Sequence, residues 1–342
     1  MEKYLQKVAS GMDLTALEAE TAITAIMAGQ ADPLVVAGFL TALHVKGEAP
    51  SEILGGARAM RRAAIPIRSS RGEPMDTCGT GGDRKGTFNI STASAFVVAA
   101  AGQPVAKHGN RAVSSRSGSA DILEALGVRL LTDPRAMETC LDELGLAFLY
   151  APALHPAMKE AAPIRRALGL RTIFNILGPL TNPAGAPFQL VGVYEARLVP
   201  LVAEALRQLG VKRALVVHGE DGLDEVSLSA PTLVAEVEEG RVKTYRVRPE
   251  DMGLPRRSPE AIRGGDANEN AVILRKVLSG EESPYRDVVL LNSGAALYAA
   301  GRTLTWKEGV ELARETILSG KALALLEDFV LLTQKLHREV AS

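Results

Sequence analysis

The chain has 342 residues, of which 46% are hydrophobic and 23% are charged, and its formal net charge is -1. This composition is typical of a soluble globular protein with enough apolar residues to form one large domain or two. A balance of 39 basic against 40 acidic residues argues against a strong nucleic-acid-binding surface. The most apolar short run, residues 95–102, is far below the roughly 20 residues that cross a bilayer, so we expect no membrane partner.

The cysteine content and the first residues bear on location. Cys78 and Cys140 are the only cysteines, which is too few for a disulfide framework or a four-ligand zinc site. We interpret both as packing residues. The opening residues MEKYL do not resemble a signal peptide. Together these features predict a protein of the reducing cytoplasm.

Residues 1–65 show no convincing strand pattern. Apolar residues recur at three- and four-residue spacing through 14–27, 33–44 and 51–63, which predicts a small helical unit. Asp13 and Ser51 stand at expected N-cap positions, and Pro33 fits a first helical turn. We predict an all-helical domain over residues 1–70.

The pattern changes from about residue 74. Short β-like runs at 104–107, 189–194 and 213–217 alternate with helical runs at 91–101, 119–126, 135–144 and 198–209. This alternation predicts βαβ units, followed by a hairpin over 231–248 and two closing helical patterns. We predict an α/β fold over residues 71–342, with a central mixed, mostly parallel sheet flanked by helices.

Residues 152–187 fit neither pattern, because six prolines prevent one long helix. We expect this segment to wind between the two units and to pass through or beside the helical one. The helical domain is therefore predicted to be joined in space by part of residues 160–187, approximately.

Three loops carry residues suited to phosphate. The first has the sequence DTCGTGGD over 76–83 and TFNIST over 87–92. Its glycines allow close backbone approach to a ligand, and a helix start offers unpaired N–H groups to an anion. A tight turn with an N-cap is the alternative interpretation. No Walker A loop or dinucleotide fingerprint is present.

The second loop has the sequence KHGNRAVSSRSGS over 107–119, between a predicted strand and a predicted helix. Its lysine, arginines and serines suit a polyanion, although a solvated polar loop would have a similar composition. The third loop has the sequence HGEDGLDEVS over 218–227. Asp224 and Glu225 could hold magnesium that also contacts substrate phosphates, although adjacent acids are often only exposed charges.

Six runs in order resemble the anthranilate phosphoribosyltransferase family: GTGGD at 79–83, NIST at 89–92, KHGNR at 107–111, SGSAD at 117–121, RTIFNILGPL at 171–180 and DGLDE at 221–225. The resemblance spans nearly the whole chain. It implies a helical domain joined to an α/β domain, an active site in the cleft between them, and a homodimer. It also implies transfer of a phosphoribosyl group from phosphoribosyl pyrophosphate to the amine of anthranilate in tryptophan biosynthesis, with two Mg²⁺ ions per subunit.

The resemblance implies roles for particular residues. The expected contacts of phosphoribosyl pyrophosphate are Gly79, Gly82, Asp83, Thr87, Asn89, Ile90, Ser91, Thr92, Lys107, His108, Gly109, Asn110, Arg111, Ser115 and Ser119. Anthranilate is expected to meet Gly79, Asn110 and Arg165, and magnesium is expected at Ser91, Asp224 and Glu225. Lys107, Asp224 and Glu225 would be catalytic by stabilising charge.

We expect no protein nucleophile, because no Ser–His or Cys–His pair is evident in the motifs. His108 is equally compatible with a packing role and a substrate contact. Two other functions remain open: a pyrimidine nucleoside phosphorylase-like enzyme, and a nucleic-acid-binding relative of the same fold. The adjacent acids and the KHGNR run favour the transferase.

Overall fold

A computed structural model describes residues 1–112 and 116–341. The described N-terminal part forms four helices: α1 (Glu2–Ala9), α2 (Ala16–Met27), α3 (Pro33–Lys46) and α4 (Pro50–Ala63). The predicted helical unit is confirmed, with α1 as an addition. Pro33 begins α3 as predicted.

The two predicted N-caps of this unit are wrong by two residues. Thr15, not Asp13, caps α2: its Oγ1 accepts the N–H of Glu18 at 3.3 Å, and its own N–H donates to the Glu18 carboxylate at 2.8 Å. Ser51 lies inside α4 and donates to the carbonyl of Leu14 at 2.6 Å. The reciprocal Thr15–Glu18 pairing satisfies two helix-end donors at once, which favours Thr15 as the cap of α2. The hydrogen bond from Ser51 holds α4 against the turn that precedes α2.

The sheet has seven strands within the described residues, in the spatial order β3-β2-β1-β4-β5-β6-β7. β3, β2, β1, β4 and β5 are parallel neighbours, while β6 and β7 are antiparallel. The predicted mixed, mostly parallel sheet is confirmed, as is the hairpin. The strands are β1 (Met75–Gly79), β2 (Val105–Gly109), β3 (Leu146–Tyr150), β4 (Phe188–Gly192), β5 (Arg213–Gly219), β6 (Thr232–Glu238) and β7 (Arg241–Val247).

Helices follow or cover the strands. The described chain closes with four helices after residue 266, where the sequence indicated two patterns. The helices of this part are α5 (Ile90–Ala100), α6 (Ser119–Ala125), α7 (Pro134–Leu144), α8 (Ala151–Leu154), α9 (Ala162–Leu168), α10 (Ile173–Leu177), α11 (Leu198–Gln208), α12 (Ala267–Leu278), α13 (Pro284–Ala299), α14 (Trp306–Leu318) and α15 (Lys321–Ala341).

Both faces of the sheet are covered, so its inner strands are buried along most of their length, including the polar Asp76, Thr77 and Lys107. On β5, Leu215 and Val217 join the core that contains α5 and α13, while Ala214 and Val216 join the core that contains α11 and the helical unit. Side chains of a strand alternate between faces, so one strand serves both cores. None of the described helices combines the length and apolarity that a membrane crossing needs.

The proline-rich segment returns to the helical unit, as expected. α9 packs against α3, and α10 packs against α4. The segment also joins α4 to the sheet. Arg61 on α4 donates to the carbonyl of Leu180 at 2.7 Å, and Gln189 on β4 donates to the carbonyl of Pro179 at 3.3 Å. The helical unit is therefore held against the α/β part through this segment.

Candidate functional site

The three predicted loops begin at the same edge of the sheet. β1, β2 and β5 end at Gly79, Gly109 and Gly219, and their parallel pairing through β4 places these ends together. The strand order also reverses direction here, since β1 lies between β2 and β4. Open α/β sheets bind ligands outside such switch points, so the position itself indicates a binding site.

The loop after β5 crosses the end of β4 to reach β1. A Cβ atom on Gly192 would lie 1.5 Å from the carbonyl oxygen of Asp224, so a side chain at Gly192 would block the crossing. A Cβ atom on Gly79 would lie 3.3 Å from Oδ2 of Asp224. The carboxylate of Asp224 therefore lies at the end of β1. Gly192 makes this possible, and the sequence alone did not single it out.

Three carboxylates from two loops lie close together. The N–H of Asp224 donates to Oδ2 of Asp83 at 3.4 Å. Burial raises the pKa of Asp224 well above its usual range, and repulsion from Asp83 and Glu225 adds to the effect. Burial also raises the pKa of Glu225 to about 7, while Lys107 opposes the rise. A divalent cation would relieve this repulsion, so the set suits one.

The arrangement fits magnesium shared with a substrate rather than a closed protein cage. Within residues 1–112 and 116–341, no three His, Cys, Asp or Glu side chains are grouped to hold a metal ion. Mg²⁺ usually takes one or two carboxylates and completes its ligands with water and substrate phosphate. Interaction with the hydroxyl and the N–H of Ser91 lowers the pKa of Glu225 against the effect of burial, so Ser91 lies near Glu225 and its neighbour Asp224.

Lys107 is a buried cation beside these acids. Its residue is 4% exposed, and its Nζ donates to the carbonyl of Thr77 and to Oγ of Ser91, the latter at 3.2 Å. Burial lowers the pKa of Lys107, while the negative charges of Asp76 and Glu225 oppose this shift. Lys107 therefore donates to Ser91 and also interacts electrostatically with the nearby carboxylate of Glu225.

Asp76 and Asn182 hold β1 and β2 together beside Lys107. The carboxylate of Asp76 accepts Nδ2 of Asn182 at 2.7 Å and the N–H of His108 at 3.1 Å. Asn182 also donates to the carbonyl of Ala106 at 2.8 Å. Burial raises the pKa of Asp76, with Lys107 opposing. These two buried polar residues support the predicted site. Asp76 begins the DTCGTGGD run, but the sequence predicted this role for neither residue.

The first loop and the start of α5 can offer mainly backbone groups to the sugar donor. Gly81 and Gly82 have φ angles of +64° and +77°, which favour glycine and expose backbone N–H groups. Ile90 and Thr92 are each 1% exposed, so only their backbone can face a ligand. Thr87 is half-buried and pairs with Arg263 in a short antiparallel bridge.

The second loop is only partly described. Ser115 lies outside the described residues, so its predicted contact has no structural account. The guanidinium of Arg111 forms hydrogen-bonded ion pairs with Glu124, at 2.5 and 2.8 Å, and is therefore already engaged on α6. Ser119 Oγ donates to the carbonyl of Asn110 at 3.2 Å. Gly109 is required here, because its Cβ would lie 2.4 Å from Ser119 Oγ.

His108 forms a buried pair with His155, which the sequence did not predict. Their ring centres are 5.0 Å apart, and Nε2 of each ring is buried without a hydrogen-bond partner within the described chain. Burial lowers the pKa of His108 to about 3 and that of His155 to about 4. The two neutral imidazoles therefore pack together with unused nitrogens, and His108 follows Lys107 on β2 with its side chain on the opposite face.

This pair predicts a loss of stability in mild acid. Histidines of the unfolded chain titrate near 6.5, well above about 3 and about 4 in the folded protein. The unfolded state therefore binds more protons below pH 6.5, and the free energy of unfolding falls by up to about 1.4 kcal/mol per pH unit for each histidine. Urea unfolding of His155→Gln at pH 7 and pH 5 should show a smaller pH dependence than the parent. An unchanged dependence would contradict burial of a neutral His155.

Arg165 lies on α9, in the segment between the two units. Its guanidinium donates to Oδ1 of Asn175 at 3.5 Å and lies 5.5 Å from the ring centre of Phe174. Burial lowers the pKa of Arg165. It forms no ion pair with any described residue, which leaves its charge for a carboxylate ligand.

Arg171 ties the same segment to the first loop. Its guanidinium donates to the carbonyl of Gly82, lies 4.0 Å from the ring centre of Tyr194, and lies 3.6 Å from a carboxylate oxygen of Glu195. The sequence run that contains Arg171 was recognised, but this contact was not predicted. The segment that carries Arg165 is thereby attached to the glycine-rich first loop.

Comparisons with known proteins agree with this architecture. Residues 71–323 match the family model described as the glycosyl transferase family a/b domain, and residues 2–64 match its helical bundle domain. The chain is 58% identical over 341 residues to the anthranilate phosphoribosyltransferase of Symbiobacterium thermophilum, covering 100% of both chains.

Solved structures give the same result. The crystal structure of anthranilate phosphoribosyltransferase from Thermus thermophilus has a TM-score of 0.91 and 50% identity, covering 97% of this chain and 99% of that chain. The Saccharomyces cerevisiae enzyme in complex with PRPP and Mg has a TM-score of 0.89 and 31% identity, covering 98% of each chain. The motif resemblance is confirmed: this chain belongs to the anthranilate phosphoribosyltransferase family of glycosyl transferases.

Proposed function

We propose that this chain transfers the 5-phosphoribosyl group of phosphoribosyl pyrophosphate to the amine of anthranilate, releasing pyrophosphate, in tryptophan biosynthesis. The observation that carries the proposal is the position of Lys107, which is buried, donates to Ser91 and lies near Glu225, at the switch point of the sheet. It places a cation and metal-binding carboxylates around one position, as a diphosphate requires. The family membership supports the same activity.

The sugar donor is proposed to lie along the first and second loops. The helix start at α5, the glycines with positive φ and Lys107 supply N–H groups and a positive charge, which are the groups that bind phosphate in many proteins. The ion-paired Arg111 would contribute by its backbone. The full proposed set is Gly79, Gly82, Asp83, Thr87, Asn89, Ile90, Ser91, Thr92, Lys107, His108, Gly109, Asn110, Arg111, Ser115 and Ser119.

Ser91, Asp224 and Glu225 are proposed to serve two Mg²⁺ ions per subunit. The raised pKa values of Asp224 and Glu225 support this assignment, because crowded carboxylates gain most from a divalent cation. When bound, magnesium would supply positive charge to the oxygens of the diphosphate. Lys107 would add one positive charge of the protein to that of the metal.

The reaction follows from these positions. The amine nitrogen of anthranilate forms a bond to C1 of the ribose with its lone pair, the bond from C1 to the pyrophosphate oxygen breaks, and its electrons leave with pyrophosphate. The nitrogen then loses one proton. An arylamine is neutral at pH 7, so the chain needs no strong base or covalent nucleophile. Its residues hold the two substrates together and stabilise the growing negative charge.

Gly79, Asn110 and Arg165 are proposed to bind anthranilate. The carboxylate of anthranilate would pair with the guanidinium of Arg165, which no described acid neutralises. Arg165→Ala is therefore expected to raise the Michaelis constant for anthranilate by about 10- to 100-fold, with a much smaller effect on that for the sugar donor. Steady-state kinetics with each substrate varied in turn would measure both constants.

Arg166→Ala is the matched control, because Arg166 is exposed on the same helix. It should leave both constants near those of the parent protein. Equal increases for the two substrates in Arg165→Ala would contradict the proposed role.

A homodimer through the helical unit is proposed as the working state, in the cytoplasm. Exposed Leu17, Leu34 and Val45 in this unit support an interface, since apolar patches often mark one. Leu34→Glu with Val45→Glu is expected to halve the mass measured by light scattering, because two charges would be buried. An unchanged mass of the variant, or a monomeric parent, would contradict the proposal.

The experiment that tests the function follows anthranilate fluorescence. Purified protein with phosphoribosyl pyrophosphate and Mg²⁺ should consume anthranilate, and a chelator should stop the reaction. Parallel assays with thymidine or uridine plus phosphate test the phosphorylase alternative. Phosphorolysis without anthranilate consumption would refute the transferase.

A further inference from the structure

Two buried asparagines outside the recognised motifs fasten the loops of the site. Asn270 on α12 is 1% exposed and Asn292 on α13 is 0% exposed. Both helices belong to the C-terminal part of the chain, for which the sequence predicted no role. Buried amides are costly unless they are hydrogen-bonded, so their partners indicate what they do.

Asn270 holds the first and second loops together. Its Nδ2 donates to Oδ1 of Asn89 at 3.0 Å, and its Oδ1 accepts the N–H of Gly265 at 2.8 Å. Asn89 in turn donates through Nδ2 to the carbonyl of Ser117 at 3.2 Å. One chain of amides therefore runs from α12 through the first loop to the second.

Backbone pairing strengthens this attachment. The N–H of Gly264 donates to the carbonyl of Gly86 at 2.8 Å, and the N–H of Phe88 donates to the carbonyl of Ile262 at 3.3 Å. The segment before α12 thus aligns with the segment before α5. Asn270 adds the side-chain contact at the residue that precedes α5.

Asn292 holds the third loop. Its Oδ1 accepts the N–H of Val226 at 2.9 Å, and its Nδ2 donates to the carbonyl of Val226 at 3.0 Å and to that of Val288 at 2.9 Å. One side chain thereby satisfies both backbone groups of Val226. Because Val226 follows Glu225 directly, Asn292 fixes the backbone that carries the two adjacent acids.

The two attachments act on different parts of the site. The first loop contains several glycines with positive φ, and such a chain loses much conformational entropy when it is ordered. If the loop is already ordered before the substrate binds, this entropy loss no longer weakens substrate binding. Asn270 would lower the cost for the loops proposed to hold the sugar donor, whereas Asn292 would lower it for the carboxylates proposed to hold the metal.

We propose that Asn270 and Asn292 are positioning residues with separate targets, Asn270 for binding of the sugar donor and Asn292 for binding of Mg²⁺. Neither needs to touch a substrate. The inference rests on the proposed function and deepens it by assigning a role to the C-terminal helices.

The test is steady-state kinetics of the full-length protein with alanine variants. Asn270→Ala is expected to raise the Michaelis constant for phosphoribosyl pyrophosphate about tenfold, with the half-saturating Mg²⁺ concentration changed by less than about twofold. Asn292→Ala is expected to raise the half-saturating Mg²⁺ concentration for turnover about tenfold, and excess Mg²⁺ should restore turnover. Titration calorimetry should show the same rise of about tenfold in the Mg²⁺ concentration that supports binding of phosphoribosyl pyrophosphate. Asn268→Ala on the exposed face of α12 is the matched control and should change neither constant.

Poor folding of a variant does not spoil this comparison, because Michaelis constants do not depend on the amount of active protein. Asn270→Asp and Asn292→Asp provide a second pair: each keeps the acceptor and loses the amide donor, and each should show the same selectivity. Equal changes of both constants in both variants, or no change in either, would overturn the inference. An inactive parent protein would instead refute the proposed function.

Discussion

Asp224→Asn with Glu225→Gln is expected to lower turnover by at least about a thousandfold while the protein still folds. The two acids are proposed to hold magnesium, and their amide forms would bind it poorly because they carry no charge. Folding should survive, since burial and mutual repulsion already raise the pKa values of both acids in the absence of metal.

The raised pKa of Glu225 makes the metal-free protein less stable at high pH. An acid whose pKa is raised in the folded state favours folding less as the pH rises through that value, which is about 7 for Glu225. Without Mg²⁺ at pH 8, the double variant should therefore be at least as stable as the parent in urea unfolding. Added Mg²⁺ should stabilise the parent and not the variant.

The control for this prediction is Glu220→Gln. Glu220 lies in the same loop but forms an exposed ion pair with Arg246 at 2.5 Å, and exposed pairs contribute little. Its turnover should match the parent. If the double variant kept near-parental rates at limiting Mg²⁺, the metal assignment would be wrong.

Lys107→Met is expected to reduce turnover at saturating substrates by roughly 100- to 1,000-fold. The variant keeps an unbranched side chain of similar length but removes the positive charge that lies beside Ser91 and Glu225. Excess Mg²⁺ should not restore the rate, because the lost charge belongs to the protein. Rapid-quench measurement of pyrophosphate release would separate the chemical step from product release.

Lys212→Met is the matched control, since Lys212 pairs with Glu73 on the surface, with a 2.6 Å contact. It should turn over at the parental rate. A Lys107→Met protein with an unchanged maximal rate and only a raised Michaelis constant for the sugar donor would show that Lys107 binds this substrate without stabilising the departing diphosphate.

Much of the fold could be predicted from local pattern. The helical unit, the alternating strands and helices, and the hairpin all follow from the period of apolar residues and from turn residues. β1 was missed because polar Asp76 and Thr77 interrupt its apolar pattern. Asp76 accepts a hydrogen bond from Asn182, more than 100 residues away, and Thr77 donates to the carbonyl of Ser91, partners that no local pattern reveals.

The candidate site was predictable to a similar extent. Loop composition and motif resemblance indicated the three loops, and the structure brings them to one edge of the sheet. The supporting residues could not be predicted, because their roles depend on contacts between segments that are far apart in the sequence. Gly192 matters only because the loop that carries Asp224 crosses it, and His155 only because its ring packs at an angle against that of His108.

The loops after β1, β2 and β5 are proposed to form one binding site for a metal-bound diphosphate sugar. Titration calorimetry of the purified chain with phosphoribosyl pyrophosphate tests it most directly. We expect saturable binding at one site per subunit with Mg²⁺ present, weakened at least about tenfold by a chelator. Folded protein that takes up no phosphoribosyl pyrophosphate with Mg²⁺ would contradict the account.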